Sequence, residues 1–349
     1  MKSEGHGAGD RNRMTDAIGS SIDRFAAEVG FAGVVRLDLD VVTIERAYGM
    51  ANRAHGIANT PDTQFATASG TKGLTALTIM SLVEQGMLTL DTTARSVLGN
   101  DVPLIDQKVT VEHLLAHRSG IGDYLDEELI DDTDDYVLTV PAHALATTEQ
   151  FLSVLEGHPM KHPPGERFDY CNGGFVVLAL IAERVSGVPF HDLVEQRVLR
   201  PAGMVNTAFL RSDELPARAA LGYLHDEGLR TNVFHLPVRG NGDGGIYTTA
   251  ADMVAFWNVV FAGGIVSPAA VVQMTTPTTR DASDGLDCGL GLWRYPSSGA
   301  MSVHGFDPGV GFVSSRDPNG RFTYTVLGNK SGGAWPMSQA LDQLLAETA

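Results

Sequence analysis

Residues 65–77 read Phe65-Ala66-Thr67-Ala68-Ser69-Gly70-Thr71-Lys72-Gly73-Leu74-Thr75-Ala76-Leu77, and apolar residues continue through Ile79, Met80, Leu82 and Val83. That density marks a buried helix, in which a lysine is rare unless it is paired or uncharged. If the helix starts near Ser69, residues i and i+3 share a face, so Ser69 and Lys72 meet. Serine is a weak nucleophile that needs a base within hydrogen-bond reach. A desolvated lysine supplies one, because burial disfavours its charged form. Bringing a lysine from about 10.4 down to about 7 costs roughly 4–5 kcal/mol, which an apolar helix does not bear without a further purpose. The helix start also presents unpaired N–H groups suited to an oxyanion. A helix cap followed by a lysine that snorkels to solvent is the competing reading of this stretch taken alone.

Outward from this helix the pattern has three zones. Residues 1–15 read as a flexible tail, with helical spacing from Asp16 to Val29. Two short strands follow, turning at Asp38-Leu39-Asp40. The core helix runs from Lys72 to Gln85 and is closed by Gly86. Helices then dominate: Val111–Ala116, Thr148–Leu155, Gly174–Ser186, His191–Val198 and Ala250–Phe261, the last with Thr249 and Asp252 as a capping box. Strand patterns return in "GLGLWRY", "GVGFVSS" and "FTYTVLGN", before a closing helix over Pro336–Leu345. The expected fold is an α/β (α+β) sandwich. Residues 16–66 and 285–349 form an antiparallel sheet domain built from both termini, and residues 67–284 form an inserted, mainly helical domain with the site at the interface.

Bulk properties narrow the partners. The chain has 349 residues, 43% hydrophobic, and a net charge of −17, which disfavours nucleic acid and anionic membrane surfaces. The apolar run Met253–Val272 is broken by Asn258, Gly263-Gly264 and Ser267-Pro268, so it reads as helix–turn–helix and not as a membrane span. Cys171 and Cys288 are too few for a disulfide framework and read as free thiols. With no apolar leader near the N-terminus, the expected location is cytoplasmic. The acidic run Asp126–Asp135 reads as a solvated loop. Prolines around His158 and His162 exclude a helical ligand pair, so neither metal nor cofactor is expected.

Two further segments carry chemistry. In Pro164-Gly165-Glu166-Arg167-Phe168-Asp169-Tyr170-Cys171-Asn172-Gly173-Gly174, Tyr170 and Asn172 sit at a loop-to-helix junction. There a tyrosine can move a proton and an asparagine can hold an amine or a carbonyl. In "SVHGFDPGVGF", His304 and Gly305 end a strand and Asp307-Pro308-Gly309 make a turn. Taken together, Ser69-Gly70-Thr71-Lys72, Tyr170-Cys171-Asn172 and His304-Gly305 resemble the S-x-x-K, Y-x-N and K/H-x-G elements of the serine β-lactamase and DD-peptidase superfamily. The nearest branch resembles class C β-lactamases, DD-carboxypeptidases, D-aminopeptidases and family VIII carboxylesterases. The connecting stretches "VTVEHLLAHRSGI", "PPGERFDYCNGGF", "VLRPAGMVNTAF" and "GNGDGGIYTTAADM" are similar to that family as well.

The resemblance implies roles. Ser69 is the acylated nucleophile, Lys72 its base, and Tyr170 the partner that carries the proton to the leaving group. Asn172 fixes Lys72 and the substrate amide, and the backbone N–H groups of Ser69 and Asp307 form the oxyanion hole. His304, Gly305 and Phe306 border the substrate, His304 standing where the family places a cation facing a carboxylate. Lys330-Ser331-Gly332 spells the lactamase motif more closely, but it follows the last strand directly and reads as a surface turn. Phe306 in place of glycine, and histidine in place of lysine, disfavour fused β-lactam rings. The expected activity is hydrolysis of a small ester, amide or peptide substrate, as a carboxylesterase or D-residue peptidase. A β-lactamase or cell-wall DD-carboxypeptidase is the alternative, and a non-catalytic binder or sensor a lesser one. No motif sets the oligomeric state.

Overall fold

Strands from the two ends of the chain meet in one eight-stranded antiparallel sheet. Its order is Val42–Tyr48, Gly33–Leu39, Phe322–Gly328, Val310–Arg316, Met301–Asp307, Trp293–Arg294, Asp287–Cys288 and Thr279–Arg280. The computed structural model describes residues 4–40, 42–127, 130, 136–282 and 285–348. Gly33 stands opposite Gly328 and Leu39 opposite Phe322, so the first strand is held between its own hairpin partner and the last strand.

Alternation along these strands builds two cores. Val35, Leu37, Val313, Tyr324 and Val326 face Ile18 and Ile22 of the first helix and Met337 and Leu341 of the last. Val34, Val303, Phe312 and Leu327 face the helical side, where Leu74, Leu77 and Phe175 pack. The helix Thr71–Glu84 is buried on every side from Thr71 to Leu82. A helix apolar all round belongs at the centre of the molecule, and this one lies between the sheet and the helix Asn172–Ser186.

Several boundaries differ from the sequence expectation. The first helix spans Glu4–Glu28, so residues 4–15 are helical and not a tail. The sheet takes in Thr279–Arg280, ahead of residue 285. His304 and Gly305 lie inside the Met301–Asp307 strand, not at its end. The helix Asn172–Ser186 begins two residues early, at Asn172 itself. The capping box before Ala250–Phe261 is half formed. Thr249 accepts from the Asp252 N–H, while the Asp252 carboxylate turns to the Asn206 N–H at 2.7 Å and the Thr207 hydroxyl at 2.7 Å. Among the described residues no single helix is long and apolar enough to cross a membrane.

Candidate active site

Ser69 sits in a single 3-10 turn, Ala68–Gly70, that leads into the central helix. Ala68 holds φ at +47°, a left-handed conformation that costs a residue with a Cβ about 1–2 kcal/mol. Three contacts hold the turn in place. The Thr71 hydroxyl donates to the Ala68 carbonyl at 2.9 Å and accepts from the Ile246 N–H at 3.1 Å. The Phe312 ring lies so close to Gly70 that a Cβ there would fall 2.2 Å from it. Nothing in the local sequence announces this strain, because the restraining groups come from distant segments.

Lys72, 5% exposed, has three polar partners within hydrogen-bond distance. Its Nζ lies 2.8 Å from Ser69 Oγ, 2.7 Å from Asn172 Oδ1 and 2.7 Å from the Asp243 carbonyl. Burial lowers its pKa, against the attraction of Asp243, Glu127 and Asp307. Tyr170 Oη donates to Ser69 Oγ at 2.9 Å, and burial holds its pKa well above the usual value. The two shifts act in one direction, toward a neutral amine beside a neutral phenol. The Asn172 amide is oriented from its other end, where Nδ2 donates to the Leu125 carbonyl at 3.0 Å and to Glu127 Oε1 at 3.2 Å. The four residues Ser69, Lys72, Tyr170 and Asn172, spread over more than 100 positions, are thus in direct contact.

Several supporting residues escaped the sequence reading, although some of the similar stretches contain them. His117 lies flat on the Tyr170 ring, 4.4 Å between centroids, and its Nδ1 accepts from the Cys171 N–H at 3.1 Å. Trp293 stacks with Tyr170 as well, at 6.3 Å. Asp123 caps the Asn172–Ser186 helix from outside, accepting from the Asn172 N–H at 2.6 Å and the Gly173 N–H at 2.8 Å. Burial still pushes its carboxyl up to about 6. Tyr124 donates to the buried Asp243 carboxylate, which fixes the loop whose carbonyl holds Lys72.

His304 requires a correction. Its ring packs between Trp293, at 5.2 Å, and Trp335, at 5.0 Å, and burial pushes its pKa down to about 4. It is neutral near pH 7 and is not among the residues lining the cavity over Ser69, so it offers no cation to a carboxylate. The nearby Lys72 lowers its pKa as well. Lys330 donates to the Gly30 carbonyl at 2.9 Å and pairs with Asp226, away from the cavity lining. The acidic run is also more than a solvated loop: Asp126 pairs with Lys161 at 2.8 Å, and Glu127 lines the cavity. Its members Glu128, Asp131, Asp132, Asp134 and Asp135 lie outside the described residues.

The Met301–Asp307 strand passes directly under the Ser69 turn. Its outer edge pairs with the next strand only at Met301 and Ser302. Phe306 and Asp307 line the cavity, and burial pushes the Asp307 carboxyl up to about 7 despite the attraction of Lys72. A carboxyl that binds its proton more tightly when folded makes stability fall as pH rises from about 4 to about 7. Asp307→Asn therefore raises the melting temperature by a few degrees at pH 8 and by almost nothing near pH 4, as thermal melts at the two pH values will read. A gain of equal size at both would assign the effect to packing.

The family described as Beta-lactamase matches residues 22–348, and the chain belongs to it. Members of this superfamily with such a site are serine hydrolases, and the α/β architecture is theirs. The chain is 28% identical over 317 residues to the putative penicillin-binding protein PbpX of Bacillus subtilis, covering 90% of this chain and 74% of that one. A penicillin binding protein from Bacillus halodurans has the same fold at TM-score 0.86 and 37% identity, over 93% of this chain and 99% of that one. An octameric penicillin-binding protein homologue from Pyrococcus abyssi superposes at TM-score 0.80 with 28% identity, over 94% of this chain and 76% of that one.

Proposed function

We propose that the protein cleaves small esters or amides through a covalent acyl-enzyme on Ser69. One observation carries the reading: Ser69 Oγ lies within hydrogen-bond distance of both a buried lysine amine and a phenol, at 2.8 Å and 2.9 Å, at the floor of an open cavity. In this scheme the Ser69 proton passes to the Lys72–Tyr170 pair as Oγ bonds the substrate carbonyl carbon. The oxyanion meets the N–H groups of Ser69 and Asp307, the latter at the end of a strand whose outer edge is free. The proton leaves with the departing alcohol or amine through Tyr170, and water then releases the acyl group by the same pair. Lys72 and Tyr170 titrate as a unit, so the base is the pair.

Carboxylesterase or amidase chemistry is favoured over β-lactam hydrolysis because Phe306 lines the cavity and His304 is neutral. The penicillin-binding relatives support the second reading, a β-lactamase or DD-carboxypeptidase. Two buried free thiols, Cys171 and Cys288, are in keeping with a reducing compartment such as the cytoplasm. We also read the sheet and the helical region as two domains with Ser69 between them. Incubation with a fluorophosphonate adds one probe mass to the peptide carrying Ser69. In parallel, p-nitrophenyl butyrate turns over faster than nitrocefin. A label on any other residue removes the assignment, and the reverse substrate order selects the lactamase reading.

A further inference from the structure

We propose that a second cavity binds a carboxylate carried on an apolar body, with the Arg239 guanidinium as its anchor. This cavity shares no lining residue with the one over Ser69.

Its volume, about 540 Å³, is in the range of small-molecule sites. One wall is a continuous helical run, Phe190–Val194, Glu195–Leu199 and Arg200–Ala202, whose middle stretch is π-helical. There the Arg200 N–H bonds to the Glu195 carbonyl, five residues back. Pro201 accounts for the wider turn, because it offers no N–H and its ring excludes the carbonyl four residues before it. Glu195 and Leu199, both in the widened stretch, face the cavity. The other wall comes from Met204 to Phe209 and from Arg239.

Arg239 is the group that calls for a ligand. It is partly buried and makes one hydrogen bond, from Nε to the Phe209 carbonyl at 3.0 Å. Its two Nη groups have no acceptor and no ion pair among the described residues. Asp192, also on the lining, attracts it only from beyond ion-pair distance, and Arg211 repels it. Burial lowers its pKa, yet an arginine keeps its proton. A cation desolvated in this way is unfavourable unless an anion completes it. Arg316 makes the contrast: burial lowers its pKa too, but its Nη1 has two acceptors, Asn258 and Thr323.

The other basic groups of the lining are not available. Arg200 is held by Glu195 through Nε at 3.1 Å and Nη2 at 2.8 Å. His191 is neutral near pH 7, its pKa pushed down to about 4 by burial and by Arg239, and its Nε2 donates to the Gly240 carbonyl at 2.8 Å.

The surroundings select the ligand class. A guanidinium fork with both Nη groups open suits a carboxylate or a phosphate. Asp192 and Glu195 border the site, and the whole chain carries −17, so a dianion is repelled more strongly than a single negative charge. Leu199, Met204 and Phe209 are buried and present an apolar wall to the rest of the ligand. Arg239 also immediately precedes Gly240, which lines the Ser69 cavity, so a ligand that grips Arg239 steadies a segment that both cavities share.

The test is calorimetric titration of the full chain at pH 7 with 4-phenylbutyrate, uncharged 4-phenylbutanol and 2-phenylethyl phosphate. The carboxylate is expected to bind about ten- to a hundredfold more tightly than the alcohol, with the phosphate weaker than the carboxylate. Arg239→Met should abolish the carboxylate's advantage, and Arg239→Lys should retain part of it. Leu125→Trp, which crowds the Ser69 cavity, should leave the affinity unchanged. If Arg239→Met does not fold, Val205→Trp replaces it, filling the second cavity from a position 84% exposed and weakening binding severalfold. Hydrogen exchange should slow under 4-phenylbutyrate in residues 199–209 and 239–240 and not in residues 301–307. Equal affinities for carboxylate and alcohol, tighter binding of the phosphate, or an advantage that survives Arg239→Met (or Val205→Trp in its place) overturns the proposal. Loss of binding in Leu125→Trp, or protection confined to residues 301–307, overturns it as well, by placing the ligand over Ser69. Failure to acylate Ser69 would remove the hydrolase reading and leave these results unaffected.

Discussion

Lys72→Arg lowers kcat by on the order of 10³ or more, although it keeps the positive charge. The reason lies in the contacts of the amine. Lys72 Nζ touches Ser69, Asn172 and the Asp243 carbonyl in a pocket where burial lowers its pKa, so it can give up a proton and take one back. A guanidinium holds its proton throughout the accessible pH range, so it can donate to Ser69 but cannot accept from it. Tyr170→Phe tests the other half of the pair and should also be severe, because the phenol is the only other described group bonded to Ser69 Oγ. Steady-state kinetics on p-nitrophenyl butyrate, with circular dichroism to verify folding, decide the matter. Near-normal turnover in Lys72→Arg would place the base elsewhere.

The second large effect comes from adding one methyl group. In Gly305→Ala the new Cβ would fall 2.3 Å from the Thr67 carbonyl oxygen, 2.5 Å from the Ser69 nitrogen and 2.7 Å from the Gly70 nitrogen. These are backbone atoms of the turn that carries the nucleophile, so no side chain can swing aside. The strand must retreat by roughly 1 Å, and a displacement of that size costs on the order of a hundredfold in rate when it separates an oxyanion donor from its acceptor. Overpacking should also reduce stability by about 1–3 kcal/mol. The expected result is a kcat/KM lowered at least a hundredfold, with a melting temperature reduced by several degrees. A fully active Gly305→Ala enzyme would mean that the strand does not contribute to the oxyanion site.

What the sequence disclosed follows from how local each determinant is. Ser69 and Lys72 are joined by helix periodicity alone. Tyr170 and Asn172 flank the start of a helix, so their side chains emerge where a cleft begins. Hairpins of alternating residues give the long strands, while the short strands Thr279–Arg280 and Asp287–Cys288 at one end of the sheet carry no such alternation. The first helix was cut short because Gly5, Gly7 and Gly9 weaken helical propensity, yet helix runs through them from Glu4. Pairings between distant segments left no local mark. Asp123 reaches 49 residues along the chain to cap a helix, Tyr124 reaches 119 to Asp243, and His304 is kept neutral by burial beside two tryptophans that no motif connects to it. Charge states at the site depend on such pairings, and for that reason a histidine could be located from sequence but not its protonation.

The pairing of Gly33–Leu39 with Phe322–Gly328 has a consequence for biosynthesis. Residues 40–321 lie between these two strands, so closing that loop must await synthesis of its second strand, and contacts of such separation form slowly. During translation the N-terminal hairpin waits with one edge unpaired, which is an aggregation hazard for a nascent chain. The Met301–Asp307 strand, with its share of the proposed oxyanion site, also emerges late. A ribosome-bound fragment ending before residue 300 would therefore carry Ser69, Lys72 and Tyr170 and still be inert. Reactivity toward esters would then arise only once the Met301–Asp307 strand has been made and has paired.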